Sequence, residues 1–155
     1  MNFTIWIDAD ACPHGVRDLI FRTAVRRRIP AVFVANSRMA VPDIEYVSVH
    51  VTPGDFNAAD DYIAGHARMR DLAVTGDIPL ASRLLEKGIL VLNLRGEEWT
   101  PDNIGERLAM RNLMEELRLS GTATSGPKEF GSSDLRRFAN ALDRILTKRL
   151  RQTDG

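Results

Sequence analysis

The stretch FTIWIDADACP, residues 3–13, decides the reading of the fold. Phe3 to Ile7 is a short apolar run of the kind that forms a strand buried on both faces, and it ends in two carboxylates one residue apart, Asp8 and Asp10. A buried strand delivers its last residues to the carboxyl edge of its sheet, where open α/β sheets bind ligands. Two acids placed there repel each other unless a proton or a cation offsets the charge. The run therefore predicts both a parallel sheet and a site at its edge.

Outward from that strand, apolar runs alternate with helical patterns. Strands are expected at Ala31 to Ala35, Tyr46 to Val51, Leu72 to Thr75 and Ile89 to Leu94, each too short for a helix and rich in Val, Ile or Leu. The helices between them run from His14 to Arg28, from Ala58 to Arg68, from Pro79 to Gly88 and from Thr100 to Leu119. Pro79 and Pro101 sit where a first helical position tolerates proline, and Gly88 and Gly121 mark ends. Strand and helix in alternation imply right-handed crossovers and a sheet covered on both sides. The predicted fold is an α/β three-layer sandwich with a five-stranded, mostly parallel sheet, in the order 3-2-1-4-5. Residues 1–119 form this domain in the same reading. Residues 120–133, rich in Gly, Ser, Thr and Pro, form a linker or loop, and residues 134–151 a C-terminal amphipathic helix that packs on the domain or on a partner.

Composition excludes several classes. The chain has 155 residues, 44% of them hydrophobic, enough for a core of its own, and 21 basic side chains balance 21 acidic ones. No overall field advertises a nucleic-acid or membrane surface, so any such argument must come from local patches. The single cysteine, Cys12, rules out an internal disulfide, and no apolar run reaches the roughly 18 residues a membrane helix needs. With no signal-peptide pattern at the start, the cytoplasm is the expected compartment.

The polar residues fall in register with this architecture. Asp8 follows the first strand, Asn36, Ser37 and Arg38 the second, Asp77 the fourth and Arg95 the fifth, while Asp60 and Asp61 open the helix that follows the third. All lie at carboxyl ends, and the order 3-2-1-4-5 sets Asp8 beside Asp77 at the reversal point. Oxygen donors without paired cysteines or histidines suit a hard cation, Mg²⁺ or Mn²⁺, and zinc fits poorly, because His14, His50 and His66 show no paired spacing. Asp8, Asp61 and Asp77, with Asp60 as a further candidate, are the expected metal ligands. Asp10 is a further ligand or orients water, and Asn36, Ser37, Arg38 and Arg95 are the expected contacts to a substrate phosphate.

The strings DADACP (8–13), ANS (35–37), AADD (58–61), VTGDIPLA (74–81), NIGERLAMR (103–111) and GPKEF with DLRRFANALD (126–143) resemble the YaiI/YqxD family of uncharacterised bacterial proteins over nearly the whole chain. That family is similar in turn to PIN-like nuclease domains. The resemblance implies that Asp8 matches the first acid of a PIN-like site, Asp61 or Asp60 the helical acid and Asp77 the acid of its T-x-D turn, binding Mg²⁺ or Mn²⁺ for RNA cleavage. No further acid follows Asp77, where PIN-like domains often carry one, which leaves Asp10 or Asp102 to substitute.

Blander roles compete with these. Asp77 ahead of Pro79 is a natural helix cap, and Asp60 and Asp61 both favour a helix start, with only one able to point into a site. Cys12 reads as a packed hydrophobe, His14 as a surface group, the arginines of the first helix as a solvated face, and Met110 with Met114 as core. Two rival functions stand beside a metal-dependent phosphodiesterase or ribonuclease. One is a haloacid-dehalogenase-like phosphatase using Asp8, Asp10, Ser37 and Lys87. The other is a non-catalytic module binding RNA, nucleotide or protein, with the basic last helix a route to a homo-oligomer.

Overall fold

The computed structural model describes residues 3–55, 57–121 and 129–154. Among these residues, six strands and five helices follow in the order β1 (Ile5–Asp8), α1 (His14–Arg27), β2 (Ala31–Ala35), β3 (Val47–Val51), α2 (Ala58–His66), β4 (Leu72–Val74), α3 (Ile78–Glu86), β5 (Leu90–Leu92), β6 (Glu98–Trp99), α4 (Pro101–Leu119) and α5 (Ser132–Asp154). The sheet order is β3-β2-β1-β4-β5-β6. The first five strands are parallel, with Ile5 opposite Ala31 on one side and Leu72 on the other. The expected order thus holds, and the order reverses between β1 and β4.

Alternation along the strands divides the core into two layers. Ile5, Ile7, Phe33, Leu72 and Val74 face α1 and α5, where Val16, Ile20, Phe138, Leu142 and Leu146 meet them. Val34, Ala73 and Val91 face the opposite way, onto Ile63, Leu80, Leu84 and Ile104 of α2, α3 and α4. The molecule is accordingly a three-layer α/β sandwich. The apolar face of α5 that the sequence left open to a partner is taken up here, because Phe138, Leu142 and Leu146 are almost wholly buried against the same core as β1. The helix begins at Ser132, two residues ahead of the expected start, with Leu135 N–H donating to Gly131 O. Of the expected linker, residues 122–128 lie outside the described residues.

A sixth strand is the main departure. The apolar run read as one strand to Leu94 ends at Leu92, where the chain turns: Asn93 N–H donates to Glu97 O, and Asn93 Oδ1 accepts from the N–H groups of Arg95 and Glu97. Glu98 and Trp99 then return antiparallel to β5. Two residues are too few to show any alternation, so this strand has no signature in the sequence. Gly96 makes the turn possible. Its φ is +88°, and a Cβ there would lie 2.5 Å from the Arg137 carbonyl carbon of α5.

Helix α4 starts from a capping box, in which Thr100 Oγ1 accepts from Asn103 N–H and Asn103 Oδ1 from Thr100 N–H. Beyond its first turns it outruns α3, the helix it packs against. Ile104 is its buried residue, whereas Met110, expected in the core, is 54% exposed. Helical spacing of apolar residues predicts an apolar face, and it does not say whether a neighbour extends far enough to cover it. Among the described residues, no helix is long and apolar enough to cross a membrane.

Candidate functional site

In β1, residues 5 and 7 face α1, so Asp8 continues the opposite row with Trp6, toward α2 and α3. Thr75, directly after β4, continues the row of Ala73 onto the same side. The two meet: Thr75 Oγ1 donates to Asp8 Oδ2 at 2.8 Å and accepts from the N–H of Asp77 at 3.0 Å. Asp77 in turn caps α3, its Oδ1 accepting from Leu80 N–H at 2.9 Å. One buried hydroxyl therefore fixes both acids at the reversal point of the sheet.

Asp60, in the first turn of α2, completes the group. Burial, then the charges of Asp77 and Asp8, push its carboxyl up from 3.8 to about 6, with Arg83 acting in the other direction. Burial also raises Asp8, partly offset by the Thr75 hydrogen bond, and the charges of Asp77 and Asp10 add to the rise. Three carboxylates from β1, α2 and the β4–α3 turn thus repel one another in one place.

The other expected site residues go elsewhere. Asp61 is exposed and forms an ion pair with Arg83 at 2.9 Å. Helical phase separates the neighbours. Asp60 lies one turn before the buried Ala64, while Asp61 lies one turn before the exposed Gly65. Asp10 uses both carboxylate oxygens, at 3.0 and 3.1 Å, to accept from the backbone N–H of Asn36. Asn36 Oδ1 accepts from Thr52 Oγ1 at 3.2 Å and Ala59 N–H at 3.3 Å, joining the ends of β2 and β3 to the start of α2. These two residues shape the edge that holds Asp60. Ser37 and Arg38 are exposed on the loop after β2.

Arg95 lies away from the acids. Its guanidinium donates to Asp134 Oδ2 at 2.8 Å and sits 5.7 Å from the centre of the Phe130 ring, linking the β5–β6 turn to the start of α5. The Asp134 carboxyl is held below its ordinary range by the Gly131 N–H, then by Arg95 and Arg137. Asp134 and Thr75 were not singled out from the sequence. For Thr75, a hydroxyl in register with Asp8 on the neighbouring strand was a usable signal once the strand order was assumed. For Asp134, 39 residues from its partner, there was none.

Two features bear on the rival chemistries. Cys12 is buried and its thiol is pushed up to about 12, mainly by burial, so it is not poised as a nucleophile. Lys87 donates its Nζ to the Ala64 carbonyl and Asp10 is engaged with Asn36, so a phosphatase using these two groups finds no support in their placement.

The expected convergence of Asp8, Asp61 and Asp77 on one cation is not seen. Among the described residues, no group of three or more His, Cys, Asp or Glu is placed to hold a metal ion. Asp61 has turned to Arg83, and one oxygen of Asp77 is engaged with the cap. The donors at the edge are nonetheless all oxygen. They suit a hard cation bound by one or two carboxylates with water completing its shell, and they do not suit a closed protein cage.

An α/β three-layer sandwich with acids gathered where its strand order reverses is the class that fold and site define. The chain belongs to the YaiI/YqxD family: the model described as "Uncharacterized BCR, YaiI/YqxD family" matches residues 6–148. It is 50% identical over 149 residues to a UPF0178 protein of Citrifermentans bemidjiense, covering 96% of each chain. It is 51% identical over 148 residues to one of Syntrophobacter fumaroxidans, covering 95% of this chain and 96% of that one. With one of Psychromonas ingrahamii it shares 51% over 150 residues, 97% of this chain and 99% of the other. No solved structure matches the chain.

Proposed function

We propose that the protein is a divalent-metal-dependent phosphodiesterase acting on RNA. The observation that carries this reading is the set of three mutually repelling carboxylates, Asp8, Asp60 and Asp77, from three separate elements at the sheet's reversal point. Repulsion of this kind costs stability, and a bound cation offsets it. Asp8 and Asp77 are the residues that would hold Mg²⁺ or Mn²⁺, which supplies charge neutralisation at a phosphodiester and a more acidic bound water. Thr75 keeps Asp8 in one orientation, and its acceptor role toward Asp77 N–H fixes the turn that carries the third acid. Asp60, with a proton affinity close to neutral, is suited to take a proton from an attacking water and return it to a leaving oxygen. Arg38, exposed beside this edge, is the cation best placed by sequence to meet a phosphate.

A second reading is a non-catalytic module that binds RNA, and the engagement of Asp61 with Arg83 and of Asp77 with the α3 cap favours it. One experiment separates the two. Purified protein with Mn²⁺ or Mg²⁺ should cleave single-stranded or structured RNA, and EDTA should stop it. Asp8→Asn and Asp77→Asn should lower the rate by at least about 100-fold, while Asp61→Asn should leave it near wild type. If no RNA is cleaved and calorimetry finds no metal binding that Asp77→Asn weakens, the catalytic reading is abandoned.

A further inference from the structure

A concavity lies at the other end of the sheet. A cavity of about 1020 Å³ opens at the amino edge, where the chain enters β1, β2, β3 and β4, and its lining includes Trp6, Arg28, Tyr46, His66, Arg68 and Arg70. Strands of four or five residues separate the two edges by about 13–16 Å. The cavity is thus a different place from the acidic edge.

Its walls are held firmly. Asp71, 5% exposed, accepts from the N–H of Thr4 and of Arg68 and from Trp6 Nε1, all at 2.9 Å. The Trp6 indole is thereby locked in orientation, and the chain entering β4 is pinned beside it. His66 is stacked on Tyr62 at 3.9 Å between ring centres and 22° between planes, with its Nδ1 2.8 Å from Tyr62 O. Tyr62 stacks in turn on His50, also at 3.9 Å. A short ladder of flat rings therefore ends at the cavity.

Charge and backbone conformation add two independent observations. Arg28, Arg68 and Arg70 take part in no ion pair among the described residues, and the one acid in the lining, Asp71, is occupied by uncharged donors. Three exposed arginines of the lining consequently have no carboxylate partner among the described residues. Moreover, among the described residues, the two non-glycine residues with positive φ, Arg28 at +57° and Tyr46 at +76°, both lie in this lining. An aromatic residue at positive φ is an outlier that the surrounding structure must enforce, and such residues concentrate where ligands are gripped.

We propose that this cavity binds nucleotides. Guanidinium groups recognise phosphate through paired N–H donors, and an indole and imidazole with fixed orientations offer stacking faces to a base. A flat ring carrying an anionic group is the ligand chemistry that uses both. Free mononucleotides and single nucleotides within an RNA strand share it. The assignment does not depend on a metal at the acidic edge.

The test is titration in EDTA, following Trp6 fluorescence, with adenosine monophosphate, a short single-stranded RNA and inorganic phosphate as separate probes. Saturable binding of the nucleotide or the RNA is expected, weakened roughly 10- to 100-fold in Arg68→Ala/Arg70→Ala. The double variant should melt at the wild-type temperature, since both side chains are exposed. His66→Ala should also weaken binding, and Asp61→Asn, which removes only the exposed pair with Arg83, should leave it unchanged. Tighter binding of the RNA than of the mononucleotide identifies a strand as the ligand, and equal binding identifies the free nucleotide. No saturable binding of either, binding indifferent to the two arginines, or inorganic phosphate matching the nucleotide would each overturn the proposal.

Discussion

Replacing Asp60 by Asn tests whether the acids truly crowd one another. In the folded protein the carboxyl of Asp60 is pushed from 3.8 to about 6, first by burial and then by Asp77 and Asp8. At about 1.4 kcal/mol per pH unit, that difference corresponds to about 3 kcal/mol of destabilisation when the group is ionised. Asp60 is only partly buried, so water and salt screen much of this, and about 1 kcal/mol is the expected remainder. The folded state holds the Asp60 proton more tightly than the unfolded chain does. The destabilisation is therefore fully present above about pH 6 and disappears as pH falls from about 6 toward 3.8. Asp60→Asn removes the charge at every pH, so it should raise the melting temperature by about 2–4 °C near pH 8 in EDTA and change little below about pH 4. Thermal unfolding followed by circular dichroism over this range provides the measurement. Asp61→Asn, which removes only the exposed pair with Arg83, serves as the control and should move stability by less than about 1 kcal/mol. A loss of stability in Asp60→Asn near pH 8, or a shift independent of pH, would refute the crowding and with it the main support for a cation at this edge.

Two further outcomes follow from the packing. Gly96→Ala should destabilise by about 2–3 kcal/mol, visible as a lower midpoint in urea, because its Cβ would meet the Arg137 backbone at 2.5 Å and its φ is +88°; a change under about 0.5 kcal/mol would mean that α5 does not sit where described. Cys12, buried and with its thiol near 12, should resist iodoacetamide at neutral pH in the native protein and react fully in denaturant. Rapid labelling of the native protein would show instead an accessible thiol.

The acids were legible in the sequence to different depths. Asp8 and Asp77 could be placed because one ends and the other closely follows a short buried run, and where a parallel strand ends is set by local pattern. Asp60 could not be separated from Asp61 with the same ease, because on a helix one residue is a rotation of about 100°, and only the neighbours against which α2 packs decide which side faces in. Asp10 looked like the twin of Asp8, yet the strand ends between them. After Ala9, whose N–H still bonds to Val34 O, the chain turns, and Asp10 is left to hold the backbone of Asn36.

By itself the sequence determined the five parallel strands and the helices, the sheet's two covered faces, and the edge at which most of the polar residues gather. These follow from hydrophobic periodicity and from the geometry of crossover connections, both of which act over a few residues to a few tens. Tertiary structure alone decided that Asp60 rather than Asp61 joins Asp8 and Asp77, that Arg95 serves Asp134 of α5, and that α5 is consumed by the core of its own chain. It also brought the entrances of four strands together around a cavity lined by arginines and flat rings. Those outcomes depend on contacts between residues far apart in the chain, whose partners and directions local pattern does not encode. The opening run thus announced acids at one end of the sheet, and closing the sheet placed a concavity at the other.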